Sequence, residues 1–190
     1  MAGAMKDAMV RSAIDLLAKR GYQGASFAEV IDASGAPRGS IYHHFPGGKD
    51  ELVAAAIARA GHRAMRALDD IHGQPAPRVV DAYMDMWRTI LNDSDLTAGC
   101  SVLAVAVSSA NPELVSHTGA VFQAWRERMA EVLMAGGMRP TDAAGFSALL
   151  VAAGEGAVVL SRAEGTMIPF ETVAIQLRRE AQRLTRRSKP

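Results

Sequence analysis

Along this 190-residue chain the apolar positions recur at steps of three and four, the spacing that gathers side chains on one face of an α-helix. One series runs through Val53, Ile57, Ala60, Ala64, Leu68 and Ile71 and stops near His72-Gly73-Gln74-Pro75. A second, Val80, Tyr83, Met84, Trp87, Ile90 and Leu91, ends at Asn92-Asp93-Ser94-Asp95. A short apolar segment covers residues 101–107. Asn111-Pro112 then opens a long helix with Val115, Phe122, Trp125, Met129 and Val132 on one face, closed by Gly136-Gly137. Thr141-Asp142 reads as the cap of a helix over residues 143–162. Pro169 begins a last helix, with Phe170, Val173, Leu177, Ala181 and Leu184 inward. No strand alternation, repeat or long linker interrupts the series, so the predicted fold is all-α.

Residues 26–52 follow a different rule. Phe27, Val30 and Ile31 give a short helix one apolar face, with Ser26 placed to cap it and Glu29 to complete a capping box. Gly35 supplies the left-handed geometry that ends a helix at little steric cost. Pro37 suits the first turn of a second short helix over residues 37–44. That helix offers a core only Ile41; its other positions are Arg38, Gly39, Ser40, Tyr42, His43 and His44. Pro46-Gly47-Gly48 breaks the chain before Lys49-Asp50-Glu51-Leu52 starts the next helix. Two short helices joined by a tight turn, the second polar and cationic, form a helix-turn-helix pattern whose second helix enters a DNA major groove.

Composition narrows the classes. Hydrophobic residues make up 49% of the chain, enough for a sizeable core, and few aromatics among many Ala and Met favour helices. Cys100 is alone, which fits a reducing compartment. The first residues lack the apolar run of a signal peptide, and the apolar stretch over residues 146–160 is interrupted by Glu155 and reads as too short to span a bilayer, so a cytoplasmic location is expected. Charge is unevenly divided. Residues 1–50 hold six Lys/Arg against five Asp/Glu, residues 51–177 nine against fourteen, and residues 178–190 six against one. DNA affinity must therefore come from a few placed cations and donors rather than a bulk positive field. The basic tail, Arg178 to Lys189, reads first as a solvated helix end whose cations suit the negative pole.

The pattern Gly35, Gly39, Ile41-Tyr42 and Phe45, together with Ala13 to Tyr22 before it, resembles the DNA-binding domain of the TetR family of bacterial transcriptional regulators. Gly47-Gly48, Gly99-Cys100 and Glu155-Gly156 are similar to the LmrA/YxaF-like subgroup. The chain departs from the family pattern at Pro37, where a polar residue is commoner, and in the extra glycine before Lys49. The resemblance implies a helix-turn-helix domain over residues 1–50 and a helical ligand-binding and dimerisation domain over residues 51–190. It also implies DNA contacts from Ser26, Arg38, Gly39, Ser40, Tyr42, His43, His44 and Lys49. Arg38 would offer its fork to a guanine edge, and Ser26 and Lys49 would meet the phosphate backbone. Tyr42 is alternatively a core residue with a wet hydroxyl, and His44 an internal support.

The expected partners are operator DNA, a second copy and a small apolar effector. Ala143 to Leu160 is apolar on more than one face, as a four-helix dimer bundle requires. Met84, Trp87, Phe122, Trp125 and Met129 are candidates for an effector pocket, although each singly reads as core. Glu155 has three readings: ligand anchor, partner across a dimer, or solvent contact. Adjacent His43-His44 point about 100° apart and do not make a metal pair. No cofactor, metal or catalytic constellation is expected. The resulting expectation is a homodimeric repressor released by a small molecule. The alternatives are an activator of the same family, or an all-helical carrier or enzyme that does not bind DNA.

Overall fold

The computed structural model describes residues 2–187, which form nine helices and no strand. In chain order these are α1 (Ala2–Arg20), α2 (Phe27–Ser34), α3 (Ser40–His44), α4 (Lys49–Asp70), α5 (Ala76–Asp93), α6 (Ser101–Ser108), α7 (Pro112–Ala135), α8 (Pro140–Glu164) and α9 (Ile168–Arg186). They fall into two compact units. One holds the chain up to Arg63 together with Cys100–Phe122; the other holds Ala64–Gly99 and the chain from Gln123 onward. The division falls within α4 and α7. Ser188 and Lys189 of the basic tail lie outside the described residues.

In the first unit α1 packs against α2, α3 and α6. Met9, Ala13 and Leu17 of α1 are fully buried, as are Val30 of α2, Ile41 of α3, Leu52 and Val53 of α4, and Val102 and Val105 of α6. Removing each of the larger side chains from water contributes roughly 1.5–3 kcal/mol. Ile41 and Phe45 anchor the otherwise polar second helix of the pair, so Ile41→Asp would detach α3 from its support.

The second unit is built on α5, α8 and α9, each packed on the other two. Val79, Val80, Met84, Trp87 and Leu91 form the buried stripe of α5, and Phe170, Leu177, Ala181 and Leu184 that of α9. Arg88 joins α5 to α9 through a two-pronged bond to Glu171, 2.6 Å and 2.9 Å long, with its guanidinium 5.6 Å from the Phe170 ring centre. The Ser161 hydroxyl accepts the Phe170 amide at 3.0 Å and so satisfies a buried donor where α9 begins.

Several boundaries differ from the sequence pattern. Helix α3 starts at Ser40 rather than Pro37, because the Ser40 amide and hydroxyl both donate to the Pro37 carbonyl and close a three-residue turn first. Helix α8 starts at Pro140, with Arg139 as its cap residue; Asp142 lies in the first turn and pairs with Arg139 instead of capping. In the first half of α7 the buried positions are Leu114 and Thr118, whereas Val115 is exposed. The apolar helix is also longer than residues 146–160 suggest. By length and composition the 25-residue α8 could cross a membrane, yet half of its most apolar window is buried within the protein.

Candidate nucleic-acid interface

Helix α2 is set by its ends. The Ser26 hydroxyl accepts the Glu29 amide at 3.3 Å and donates to the Glu29 carboxylate at 3.1 Å, while the Ser26 amide donates to the same carboxylate. This is the predicted capping box. Hydrogen bonds from Ser26 hold the Glu29 carboxyl below its ordinary pKa, and Arg20 adds an ion pair at 3.0 Å. Gly35 ends the helix with φ of 67°, in the left-handed region. The second glycine before Lys49 has a similar cause: Gly48 stands at φ of 82°, and its carbonyl accepts the Leu52 amide as α4 begins. Glu51 turns back to accept the Gly47 amide at 2.8 Å.

Between these fixed ends the candidate contact residues form a mixed set. Arg38, Gly39, Tyr42 and His43 are exposed, and Ser40 and His44 half-buried. Among the described residues the Arg38 side chain has no hydrogen bond or ion pair. Tyr42 is 67% exposed, which removes the core reading of its ring; it leans edge-on against Phe27, with ring centres 5.4 Å apart. His43 and His44 meet edge to face at the same separation. Ser40 spends its hydroxyl hydrogen on the Pro37 carbonyl at 2.7 Å. A phenol and an imidazole thus stand in solvent on α3, with a guanidinium just ahead of it, while the buried side chain of that helix is Ile41.

Ser26 and Lys49 are already engaged within the protein. Ser26 serves the cap of α2. The Lys49 ammonium donates to the Tyr22 carbonyl at 2.6 Å and lies 4.0 Å from the centre of the Tyr22 ring. Burial lowers its pKa despite the Asp50 and Glu29 carboxylates nearby. Beside it is an arrangement that the sequence did not point to. Asp50 accepts the Tyr22 hydroxyl at 2.5 Å on one oxygen and the Asn111 side-chain amide at 2.7 Å on the other. These two bonds hold the Asp50 carboxyl below its ordinary value, while burial and the Asp50 charge push the Tyr22 phenol up to about 12. Asn111 is 61 residues from Asp50 in the chain, and the only local signal it gave was that of a helix opener.

The residues considered for an effector pocket are not all brought together. Met84 and Met129 are buried in the second unit, Trp125 belongs to the same unit and is half-buried, and Phe122 falls in the first. Trp87 is buried, and its indole N–H has no hydrogen-bond partner among the described residues. Glu155 is 6% exposed, so it does not reach solvent. Tyr83, one turn before Trp87, lies over Gly154 so closely that a Cβ there would stand 3.0 Å from the ring, which ties α5 to α8 beside Glu155.

Comparison with known proteins agrees with this geometry. Residues 10–56 match the model of bacterial regulatory proteins of the tetR family, and residues 76–176 that of the LmrA/YxaF-like transcriptional regulator C-terminal domain. An uncharacterized HTH-type transcriptional regulator of Mycobacterium tuberculosis, Rv0196, is 32% identical over 180 residues, 91% of this chain and 92% of the relative. The uncharacterized HTH-type regulator YxaF of Bacillus subtilis is 25% identical over 184 residues, 92% of this chain and 94% of its own. In fold, a TetR transcriptional regulator from Legionella pneumophila superposes with a TM-score of 0.83 at 22% identity, covering 92% of this chain and 96% of that one. The chain belongs to the TetR family of DNA-binding transcriptional regulators, in its LmrA/YxaF-like branch.

Proposed function

We propose that this regulator works as a homodimeric repressor that reads a near-palindromic operator with two copies of α3 and leaves it when a small molecule binds among the C-terminal helices. The observation that carries this reading is the outer face of α8. Between residues 144 and 163 every exposed α8 side chain is Ala, Gly, Leu or Val, and Leu149, Val159 and Leu160 are each about half exposed. A face with no charge over five turns of helix is costly in water and suits close packing against a second copy. Ile168 and Ile175 of α9, also exposed, extend the same apolar character.

In the functional division, residues 1–50 read DNA and residues 51–190 dimerise and sense. Arg38 takes a base edge. Tyr42, His43, His44 and Ser40 donate to bases or phosphates, and Gly39 lets the backbone approach. Lys49 and Ser26 contribute at the helix ends, the ammonium through N–H groups beyond the one given to Tyr22. The effector is apolar in the main and carries one hydrogen-bond acceptor for the buried indole N–H of Trp87, with Met84 and Met129 adapting around it. It acts by its differential affinity for the two settings of the protein. A regulator of this kind works where the chromosome is, in the cytoplasm, and performs no catalysis.

Selection of tight-binding duplexes from random DNA by the full-length protein tests this. The expected outcome is a two-fold symmetric consensus, bound by two chains per duplex in sedimentation, with affinity falling steeply as salt rises. An asymmetric consensus bound by one chain would remove the dimeric reader. Turnover of a small molecule with no DNA selected would favour a carrier or enzyme.

A further inference from the structure

Three segments far apart in sequence meet at one carboxylate. Asp50 opens α4, Tyr22 lies in the turn between α1 and the cap of α2, and Asn111 caps α7. Both Asp50 oxygens are occupied. Both ends of the Asn111 amide are occupied as well, since its oxygen accepts the Glu113 amide at 2.9 Å while its nitrogen donates to Asp50 at 2.7 Å. The chain of contacts continues to the next residue, because the Lys49 ammonium donates to the carbonyl of the same Tyr22. Bonds to an ionised carboxylate are about twice as strong as neutral ones and demand tighter geometry. Asp50 is only half-buried, so once Asn111 is withdrawn it can turn to water and loosen its grip on Tyr22.

We propose that Asn111–Asp50–Tyr22 is a latch through which the position of the first turn of α7 sets the geometry of the DNA-reading segment. This rests on the regulator reading above, and adds the place where the signal enters the reading segment. Helix α7 is continuous from Pro112 to Ala135 and carries Trp125 and Met129, both candidate effector contacts. An axial shift or rotation of that helix moves Asn111 and pulls on Asp50. Asp50 in turn holds the start of α4 and the turn four residues ahead of Ser26. When the latch is closed, α2 and α3 stand on a fixed frame. When it is open, that frame keeps its apolar core and the Lys49 bond to the Tyr22 carbonyl but loses the carboxylate that joins it to α7. Asn111 is therefore a positioning residue, with no DNA contact of its own.

The discriminating variant is Asn111→Asp. It keeps an acceptor for the Glu113 amide, so the α7 cap survives, but it sets a carboxylate against Asp50. Two quantities are read on the full chain: amide exchange in residues 21–26 and 49–52, and affinity for duplexes selected by the wild type. Exchange in both stretches is expected to quicken about tenfold and affinity to fall about tenfold, the scale of a charge-assisted pair. Asp50→Asn combined with Asn111→Asp exchanges donor and acceptor while leaving an oxygen for Tyr22, and is expected to restore both quantities to within about threefold of wild type. Should Asn111→Asp unfold, Asn111→Ser keeps a capping hydroxyl without the reach to Asp50 and is expected to show the same two losses. Unchanged exchange and affinity in the single variants, or a swapped pair no better than the worse single, would overturn the latch. If the wild type selects no DNA, the regulator reading fails, while the exchange measurement still decides the latch.

Discussion

Helices α3 and α8 both leave side chains in water, and the two sets are opposite in kind. On α3 they are a phenol and an imidazole, with a guanidinium just ahead; on α8 they are methyl groups and bare backbone. Neither set serves its own unit's core. α3 is held by Ile41 and the following Phe45, and α8 by Phe146, Leu150, Val151 and Val158 on its other side. On the proposed reading each exposed set suits a different partner: the α3 set a polyanion rich in acceptors, the α8 set a second apolar surface. The weak positive balance of residues 1–50 is compatible with the proposed dimer, since a reader used twice would need fewer cations per copy.

The largest expected effect breaks the apolar side of the comparison. Replacing Leu149 and Val159 together by Glu places two charges on the α8 face. If a second copy covers that face, the two charges should weaken the dimer by about 3 kcal/mol or more, over a hundredfold in its dissociation constant, because buried charges would be left unpaired. Sedimentation at micromolar concentration checks this, and an unchanged dimer would show that the pairing surface lies elsewhere. On the polar side, Arg38→Ala should cost about 1–3 kcal/mol of operator affinity and relax preference at one base pair, with chain folding untouched. Measuring affinity across single-base variants of the operator separates that outcome from a uniform loss, which would make Arg38 a phosphate contact.

Smaller effects test the frame that holds α3. Gly35→Ala places a Cβ at a left-handed backbone position and should destabilise the chain by about 1–2 kcal/mol in urea unfolding. Tyr22 gives a pH signature. Its phenol is pushed up to about 12 from an ordinary 10.0 by burial and by Asp50, so the folded state favours the protonated form. Its contribution to stability is complete below pH 10 and lost as the pH rises through about 12. Asp50 works in the other direction: its lowered pKa makes a contribution present above the usual carboxylate range and lost on acidification below it. In Asp50→Asn the Tyr22 titration followed by carbon NMR should move only part of the way back, because burial, the larger cause, remains.

Local order was the most legible part of the chain. Ser26, Glu29 and Gly35 act through neighbours within three or four residues, and the capping box and left-handed turn are both present. The periodic stripes of α5 and α9 likewise name most of their buried residues. Helix ends depending on a competing turn were less legible, as the three-residue turn before Ser40 and the uncapped start of α8 illustrate. In α7 the three-four spacing singled out Val115, but packing chose Leu114 and Thr118, since an amphipathic stripe can be rotated by one position without losing its period. The Asp50 latch was invisible because its partners come from turns whose meeting is a tertiary fact. Burial of Glu155 was equally beyond a one-dimensional reading.

The most direct test is a footprint of the protein on the DNA flanking its own gene. Two copies of α3 on one two-fold axis predict two protected major-groove segments in a near-palindrome, centred about 34–36 Å apart or at a multiple or modest extension of that spacing. Both should weaken together when Arg38 is replaced by Ala, and vanish together when Leu149 and Val159 are replaced by Glu. A single protected segment, or protection that survives the α8 substitutions unchanged, would contradict a reader that works as a pair.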